Sequence, residues 1–469
     1  MLVALGFLMV ATFMYLILAK RATPVVGLIL VPVAFGLFAG AGTEIGDMII
    51  DAVKSLAPTA ALLFFAIIFF GIMIDVGLFD PLVKVILKLV GNDPAKLVVG
   101  TAVLAMVVSL DGDGSTTFII TTSALLPLYL KLGVSPVVLT VVAGLANGTM
   151  NIIPWGGPTV RAASALGLSP SDVFVPMIPS LIAGLVIVLL FSVHLGLMER
   201  RRIGSLVLTS EPLLAAAGSR GWTVGSGSSS GSAGSAGDGG TGGGSGHGEV
   251  GQLTGGLDPA RDTLRPRLLW FNAALTVALL VVLGMDVVPI PVLFMIAAGI
   301  ALAVNFPRVA DQSEAIARHS SSIVSVVAMV FAAAVLTGVF QGTGMVEAMA
   351  TWLTGIIPDA LGPFLAVITG LLSIPLTFFM TNDAFYFGVL PVLTETAATY
   401  GIEPVEMARA SITGQPVHMQ SPLVPAILLL VTLAGVSLAD HHKKVLWRAS
   451  IVSIAMLVVG VLLGQIPLG

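Results

Sequence analysis

Three carboxylates stand inside long apolar runs that should hold none. Asp111 and Asp113 lie in Ser109-Leu110-Asp111-Gly112-Asp113-Gly114-Ser115-Thr116-Thr117, and nothing else from Leu97 to Leu130 is acidic or basic. Asp383 lies in Met380-Thr381-Asn382-Asp383, alone in the same sense from Ala360 to Thr394. At membrane depth a carboxylate costs about 2.5–3.5 kcal/mol on insertion scales, so each is a candidate for function. Carboxylates beside hydroxyls and backbone carbonyls suit Mg²⁺ or Ca²⁺. Asp111, Asp113 and Asp383 are therefore candidate metal ligands, with helix capping as the plainer alternative. Asp113, Asp383 and His418, a histidine inside a broken span, are candidate proton carriers; a satisfied core histidine is the alternative for His418.

The elements that position these groups follow from length and interruption. Each apolar arm around a polar knot is roughly 12–20 residues, too short for two spans of ~20 residues each. A re-entrant hairpin fits instead, about 97–130 and about 360–394, with its tip in mid-membrane. Irregular backbone survives there only where protein or water satisfies it. Two further spans are broken. One, about 136–160, carries Asn147, Thr149, Asn151, Gly157 and Thr159. The other, about 404–438, carries Thr413, Gln415, His418 and Ser421. Gly and Pro free backbone groups at such breaks, and half-helix N-termini then offer N–H donors to anions. With Ser115, Thr116, Thr381 and Asn382 from the hairpin tips, these residues form the candidate substrate site. Arg161 and Arg409 are expected to snorkel at the outer ends of their spans, with anion contact as the alternative.

Composition agrees with a membrane protein. The chain is 56% hydrophobic and 10% charged, against about 25% charged in soluble proteins; mean hydropathy is +1.04. There are no cysteines, which excludes disulfides, thiolate metal sites and iron–sulfur clusters. No P-loop, Gly-x-Ser-x-Gly or His-Glu-x-x-His string and no basic nucleic-acid patch occurs, so neither an enzyme nor a nucleic-acid partner is expected. Met1–Ala19 is apolar with Lys20 and Arg21 after it, which reads as a retained helix with its N-terminus outside. The apolar runs give about ten spans at ~20 residues each, and the positive charges, among them Lys96, Lys131, Arg200, Arg201, Arg202, Arg265 and Lys443, then fall on one side, the cytoplasm. The first hairpin then enters from the cytoplasm and the second from outside. The expected organisation is 1–56 scaffold, 57–198 first repeat, 199–267 cytoplasmic loop with a flexible Gly/Ser linker at 218–256, 268–306 scaffold and 307–469 second repeat. The spans Pro58–Ile74 and Ser320–Phe340 are expected to move with the hairpins, and Phe174–Leu197 to stay with the scaffold.

The halves repeat at a constant offset of 268 residues: Gly133 with Gly401, Pro136 with Pro404, Pro154 with Pro422, Gly167 with Gly435, Ser169 with Ser437, Asp172 with Asp440. The flanking charges are opposite in sign, Lys96 and Lys131 against Asp359 and Glu395, so the repeats face opposite ways. Inverted repeats whose broken helices meet at mid-membrane mark secondary transporters. The expected fold is thus an all-α polytopic membrane protein of two inverted repeats, each with a re-entrant hairpin and a broken helix.

The opening Met1-Leu2-Val3-Ala4-Leu5-Gly6-Phe7-Leu8-Met9-Val10, the Ser109–Thr117 string and Asn151-Ile152-Ile153-Pro154-Trp155-Gly156-Gly157-Pro158-Thr159 resemble the citrate–metal:proton symporters of the ion-transporter superfamily. The resemblance covers nearly the whole chain outside the linker. It implies inner-membrane uptake of citrate complexed with Mg²⁺, Ca²⁺ or a similar metal, coupled to protons, with no permanently bound cofactor. It also implies a homodimer in lipid and an elevator-like transport domain moving on a scaffold. The related dicarboxylate carriers use Ser-Asn-Thr at both tips; Asp113-Gly114-Ser115 and Thr381-Asn382-Asp383 add acid here, against sodium coupling. A sodium- or proton-coupled carrier of free di- or tricarboxylates, and a cation/proton antiporter, remain the alternatives.

Overall fold

The computed structural model describes residues 1–19, 21–91, 93–203, 261–285 and 287–469; Lys20, Asp286 and the expected linker 218–256 lie outside them. Among the described residues every regular element is helical, and seven helices are long and apolar enough to cross a membrane. In chain order the helices are α1 (Leu2–Leu18), α2 (Pro24–Phe38), α3 (Ile45–Asp75), α4 (Asp80–Val90), α5 (Pro94–Val108), α6 (Gly114–Lys131), α7 (Pro136–Met150), α8 (Gly157–Leu166), α9 (Pro170–Phe174) and α10 (Ile178–Ile203). From residue 261 onward come α11 (Leu269–Met285), α12 (Ile290–Asn305), α13 (Val309–Arg318), α14 (Ser320–Gly342) and α15 (Met345–Thr354). The chain ends with α16 (Leu365–Phe379), α17 (Leu390–Ala398), α18 (Pro404–Ile412), α19 (Gln415–His418), α20 (Pro425–Leu433) and α21 (Leu438–Leu462). The protein is an all-α, multi-pass membrane protein.

Each hairpin is two helices and a tip. In the first, Asp93 caps α5 by accepting from the Ala95 amide at 3.0 Å. The turn back passes through Gly112 at φ 81°, a left-handed conformation that glycine takes without a Cβ penalty. In the second, α16 ends at Phe379 and the chain re-enters through a π-helical turn, Ala384–Val389, a geometry frequent at functional sites. The broken spans are equally plain: α7 stops at Met150 and α8 starts at Gly157, while 404–438 divides into α18, α19 and α20.

The residues matched at the 268 offset hold matching backbone roles. Gly133 and Gly401 both take positive φ, 68° and 82°, and so do Gly167 and Gly435, 67° and 64°. Pro136 and Pro404 both open helices, as proline does without losing an intrahelical bond. Ser169 and Ser437 both cap the helices that follow. The two breaks also touch at matched positions: a Cβ on Gly148 would lie 3.1 Å from the Cα of Pro416.

Helix α10 (Ile178–Ile203) makes contacts at both of its ends. At its C-terminal end Arg202 donates to the carbonyl of Gly133 at 2.7 Å and Glu199 accepts from the Ser135 amide at 3.1 Å, holding the base of the first hairpin. Before its N-terminal end Asp172 accepts from Arg409 of α18 at 2.8 Å. The second hairpin closes on that same side, where the Tyr400 ring packs on Gly362. The 26 residues between span about 39 Å at 1.5 Å rise each.

Helices α3 and α14 pack most extensively on each other and then on α12 and α2, whereas α10 packs on α5, α7 and α21. The expected grouping had α3 and α14 with the hairpins and α10 with α2 and α12. Hydropathy cannot separate these cases, because every span is apolar all round and the partner face is set by small residues. Gly196 of α10 against Ala95 of α5, and Gly338 of α14 against Met48 of α3, are two such contacts, of the kind that lets membrane helices approach closely.

Candidate functional site

The first tip presents its acids to a cavity of about 720 Å³, with Asp111, Asp113 and Thr116 on one wall, Trp155, Gly157 and Arg161 on the second and Ser322, Ser325 and Met329 of α14 on the third. Asp113 caps α6: its carboxylate accepts from the amides of Ser115 and Thr116, each at 3.0 Å, and from the Thr116 hydroxyl at 2.7 Å. Asp111 accepts from the Asp113 amide at 2.9 Å. The tip is pinned from the first break. Trp155 Nε1 donates to the Leu110 carbonyl at 2.8 Å, and Asn147 Nδ2 donates to Ser109 Oγ at 3.0 Å. The Oδ1 of Asn147 is buried without a partner among the described residues.

Behind the cavity the second tip meets both breaks. Gln415 and Asn382 exchange amide hydrogen bonds at 3.3 and 3.5 Å. Asn151 donates to Gln415 Oε1 at 3.4 Å, and Gln415 donates to the Tyr386 hydroxyl at 2.9 Å. Asp383 does not cap its helix. Its Oδ1 accepts from Nε of Arg161 at 2.6 Å, an ion pair between the two halves of the chain. Arg161 therefore does not snorkel outward as expected: it lies one turn after Gly157, on the cavity wall. One oxygen of the Asp383 carboxylate is thus engaged by the guanidinium. Among the described residues no three Asp, Glu or His side chains converge as a metal cage.

The remaining expected residues are placed as follows. The hydroxyls of Thr149, Thr159, Thr413 and Ser421 donate to the carbonyls of Leu145, Ile152, Ala410 and Phe378. They brace the breaks and do not reach the cavity wall. Thr381 Oγ1 accepts from the Ala384 amide at 3.2 Å. His418 bonds the Thr377 carbonyl through Nδ1 at 2.5 Å, tying α19 to the arm of the second hairpin. Ser115 stays beside the cap. Arg409 donates to the Asp172 carbonyl at 2.8 Å.

Sequence reasoning missed Tyr386 and Trp155 and held anion contact by Arg161 only as an alternative. Arg161 had a usable signal: four residues after Gly157, it shares a helix face with the break. Tyr386 had none, since it sits among ordinary apolar residues; Trp155 stands inside the broken stretch Asn151–Thr159. The cavity mouth is also polar. Asp75 accepts at Oδ2 from His319 at 3.2 Å and pairs with Arg318 at 3.7 Å; Arg261 donates to its carbonyl at 2.9 Å. Gly71 makes room, for a Cβ there would lie 2.6 Å from the His319 ring.

This arrangement can offer acids to a cation, a guanidinium fork to an anion, and amides and a phenol to hydroxyl and carboxyl groups. A family model described as citrate transporter, CitMHS, matches residues 3–414. The chain is 47% identical to a citrate transporter of Bacillus subtilis (strain 168) over 467 residues, 99% of this chain and all of that one. It is 46% identical to the Mg(2+)/citrate complex secondary transporter of the same organism over 474 residues, covering both chains fully. Among solved structures, the Alcanivorax borkumensis YdaH transporter aligns with a TM-score of 0.57 at 13% identity, over 91% of this chain and 90% of that one, a likeness of fold.

Proposed function

Because the chain belongs to the citrate transporter family, we propose that it takes up citrate complexed with a divalent metal, driven by protons, by alternating access across the plasma membrane. The observation that carries this is the meeting of acid and guanidinium around one cavity, Asp111 and Asp113 on one wall and Arg161 on another. Bare citrate is trianionic near neutral pH and is repelled by the acidic tip; bound Mg²⁺ or Ca²⁺, entering as co-substrate, removes most of that repulsion. One proton makes transport of the single-negative complex electroneutral, and more make it electrogenic.

Asp113 spends its carboxylate on the α6 cap, so we assign the metal contact to Asp111, and the proton to Asp383 with His418 as relay. Asn151, Asn382 and Gln415 then orient the hydroxyl and carboxyl groups of citrate. The unit of α5–α8, α10 and α16–α21 moves against α2, α3, α12 and α14, in a homodimer. The relative named an Mg(2+)/citrate complex secondary transporter supports the metal complex as cargo.

Uptake of labelled citrate into proteoliposomes tests the proposal. Uptake should be weak with a strong chelator, rise with divalent metal and follow an imposed pH gradient. Full activity in chelator with sodium would replace this reading with a sodium-coupled carrier of free carboxylates. Since the chain has no cysteine, single cysteines at Ser115 and Asn382 report sidedness. They should react with an impermeant thiol reagent from opposite sides, and labelling of both from one side only under every gradient sinks alternating access between these hairpins.

A further inference from the structure

We infer that Arg161 grips a carboxylate of the substrate, and that Asp383 is its internal counter-ion, displaced as that carboxylate arrives. This rests on the citrate reading above and adds the residue that recognises the acid end of the complex.

The donor accounting carries the argument. Arginine has five N–H donors in a rigid fork, a match for a carboxylate's two oxygens. In Arg161, Nε donates to Asp383 Oδ1 at 2.6 Å and Nη1 donates to the Gly157 carbonyl at 3.1 Å. The rest of the fork has no partner among the described residues, and the side chain is 26% exposed, on the cavity wall. The pair with Asp383 is one-oxygen, one-nitrogen. A purely structural ion pair in an apolar interior repays desolvation only with full hydrogen bonding of both partners. This one leaves its Nη edge open to a cavity that already holds two acids suited to a metal. A glycine at 157 permits the position, because a Cβ there would lie 2.8 Å from Arg161 Nη1.

Recognition is then two-ended. The metal faces Asp111, and a carboxylate left free by the metal faces the Nη edge of Arg161. The site should select metal complexes of polycarboxylates that keep one carboxylate uncoordinated over complexes that keep none.

Binding of Mg²⁺–citrate to the purified full-length protein, by calorimetry, tests this on R161Q, R161K, D383N and the double variant R161Q/D383N. R161Q should bind on the order of 10- to 100-fold more weakly, as expected for loss of a charged, largely desolvated contact. R161K should fall between, having charge without the fork. D383N should bind at least as tightly as the wild type, because it removes the competitor. The double variant should behave like R161Q. A structural pair predicts the reverse, with both single variants impaired and the double variant restored, and that result overturns the inference. So does wild-type affinity in R161Q, or weakened binding in a monodisperse D383N, which keeps the arginine and serves if R161Q does not fold. If the wild-type protein itself fails to bind Mg²⁺–citrate, the substrate reading falls instead.

Discussion

The two hairpin tips occupy matched positions in the chain yet use their acids differently. At the 268 offset Asp113 pairs with Thr381, and both are caps: the Asp113 carboxylate takes the amides of Ser115 and Thr116, and Thr381 Oγ1 takes that of Ala384. The matched partner of Ser115 is Asp383. It caps nothing and reaches across to Arg161 on the other half. An aspartate at a helix start is therefore a weak guide to function, because capping alone accounts for it. An aspartate whose capping duty is already met by a neighbour, and which meets a cation from another element, is the stronger candidate.

Neutralising the two acids should break the comparison most visibly. Asp383→Asn should abolish most pH-driven citrate accumulation, because it removes the carboxylate assigned to the proton, while citrate counterflow persists. Asp113→Asn should keep uptake within about threefold, since asparagine caps as well as aspartate. Equal losses at both sites in initial-rate assays would remove the distinction between cap and counter-ion.

The amide cluster behind Asp383 gives the next effect. Gln415→Leu removes the bonds to Asn151, Asn382 and Tyr386 and leaves their polar groups buried, at about 1–3 kcal/mol for each group left unpaired. The apparent KM for metal–citrate should rise by at least about tenfold, a step of 1.4 kcal/mol. An unchanged KM would mean that the cluster only holds the break together.

A smaller effect belongs to the cap itself. Asp113→Ala should destabilise the first tip by about 1 kcal/mol relative to Asp113→Asn, visible as a lower thermal midpoint in detergent. If Ala and Asn are equally stable, the Asp113 carboxylate is not capping and the metal role returns to it.

Trp155→Phe should have the smallest effect. It keeps the ring packing on Phe70 and Phe294 and loses only the bond to the Leu110 carbonyl, worth about 0.5–1.5 kcal/mol. Uptake should fall less than tenfold. A complete loss would make this bond part of the gate at the first tip and not merely a brace.

Much of the fold was legible because bilayer physics leaves few options. Apolar run length counts spans, interruption at Gly and Pro marks breaks, and the matched Gly133/Gly401 and Ser169/Ser437 pairs mark turns and caps that every copy of such a unit needs. The acidic tips and the polar breaks were found for the same reason: polar residues are rare in lipid, so each stands out against its background.

What the residues alone determined was an all-helical membrane protein with two polar-tipped hairpins, two broken spans and a short roll of polar groups. Only the tertiary structure decided which polar groups face each other. Arg161 and Asp383 are 222 positions apart, and nothing local distinguishes an arginine that snorkels from one that turns inward. The same holds for Asp113, whose cap depends on tip geometry, and for α3, α10 and α14, whose apolar faces fit several partners until close contacts choose one. Hydropathy reports how a residue partitions between water and lipid. Pairing depends on distance and direction, and those exist only once the chain has folded.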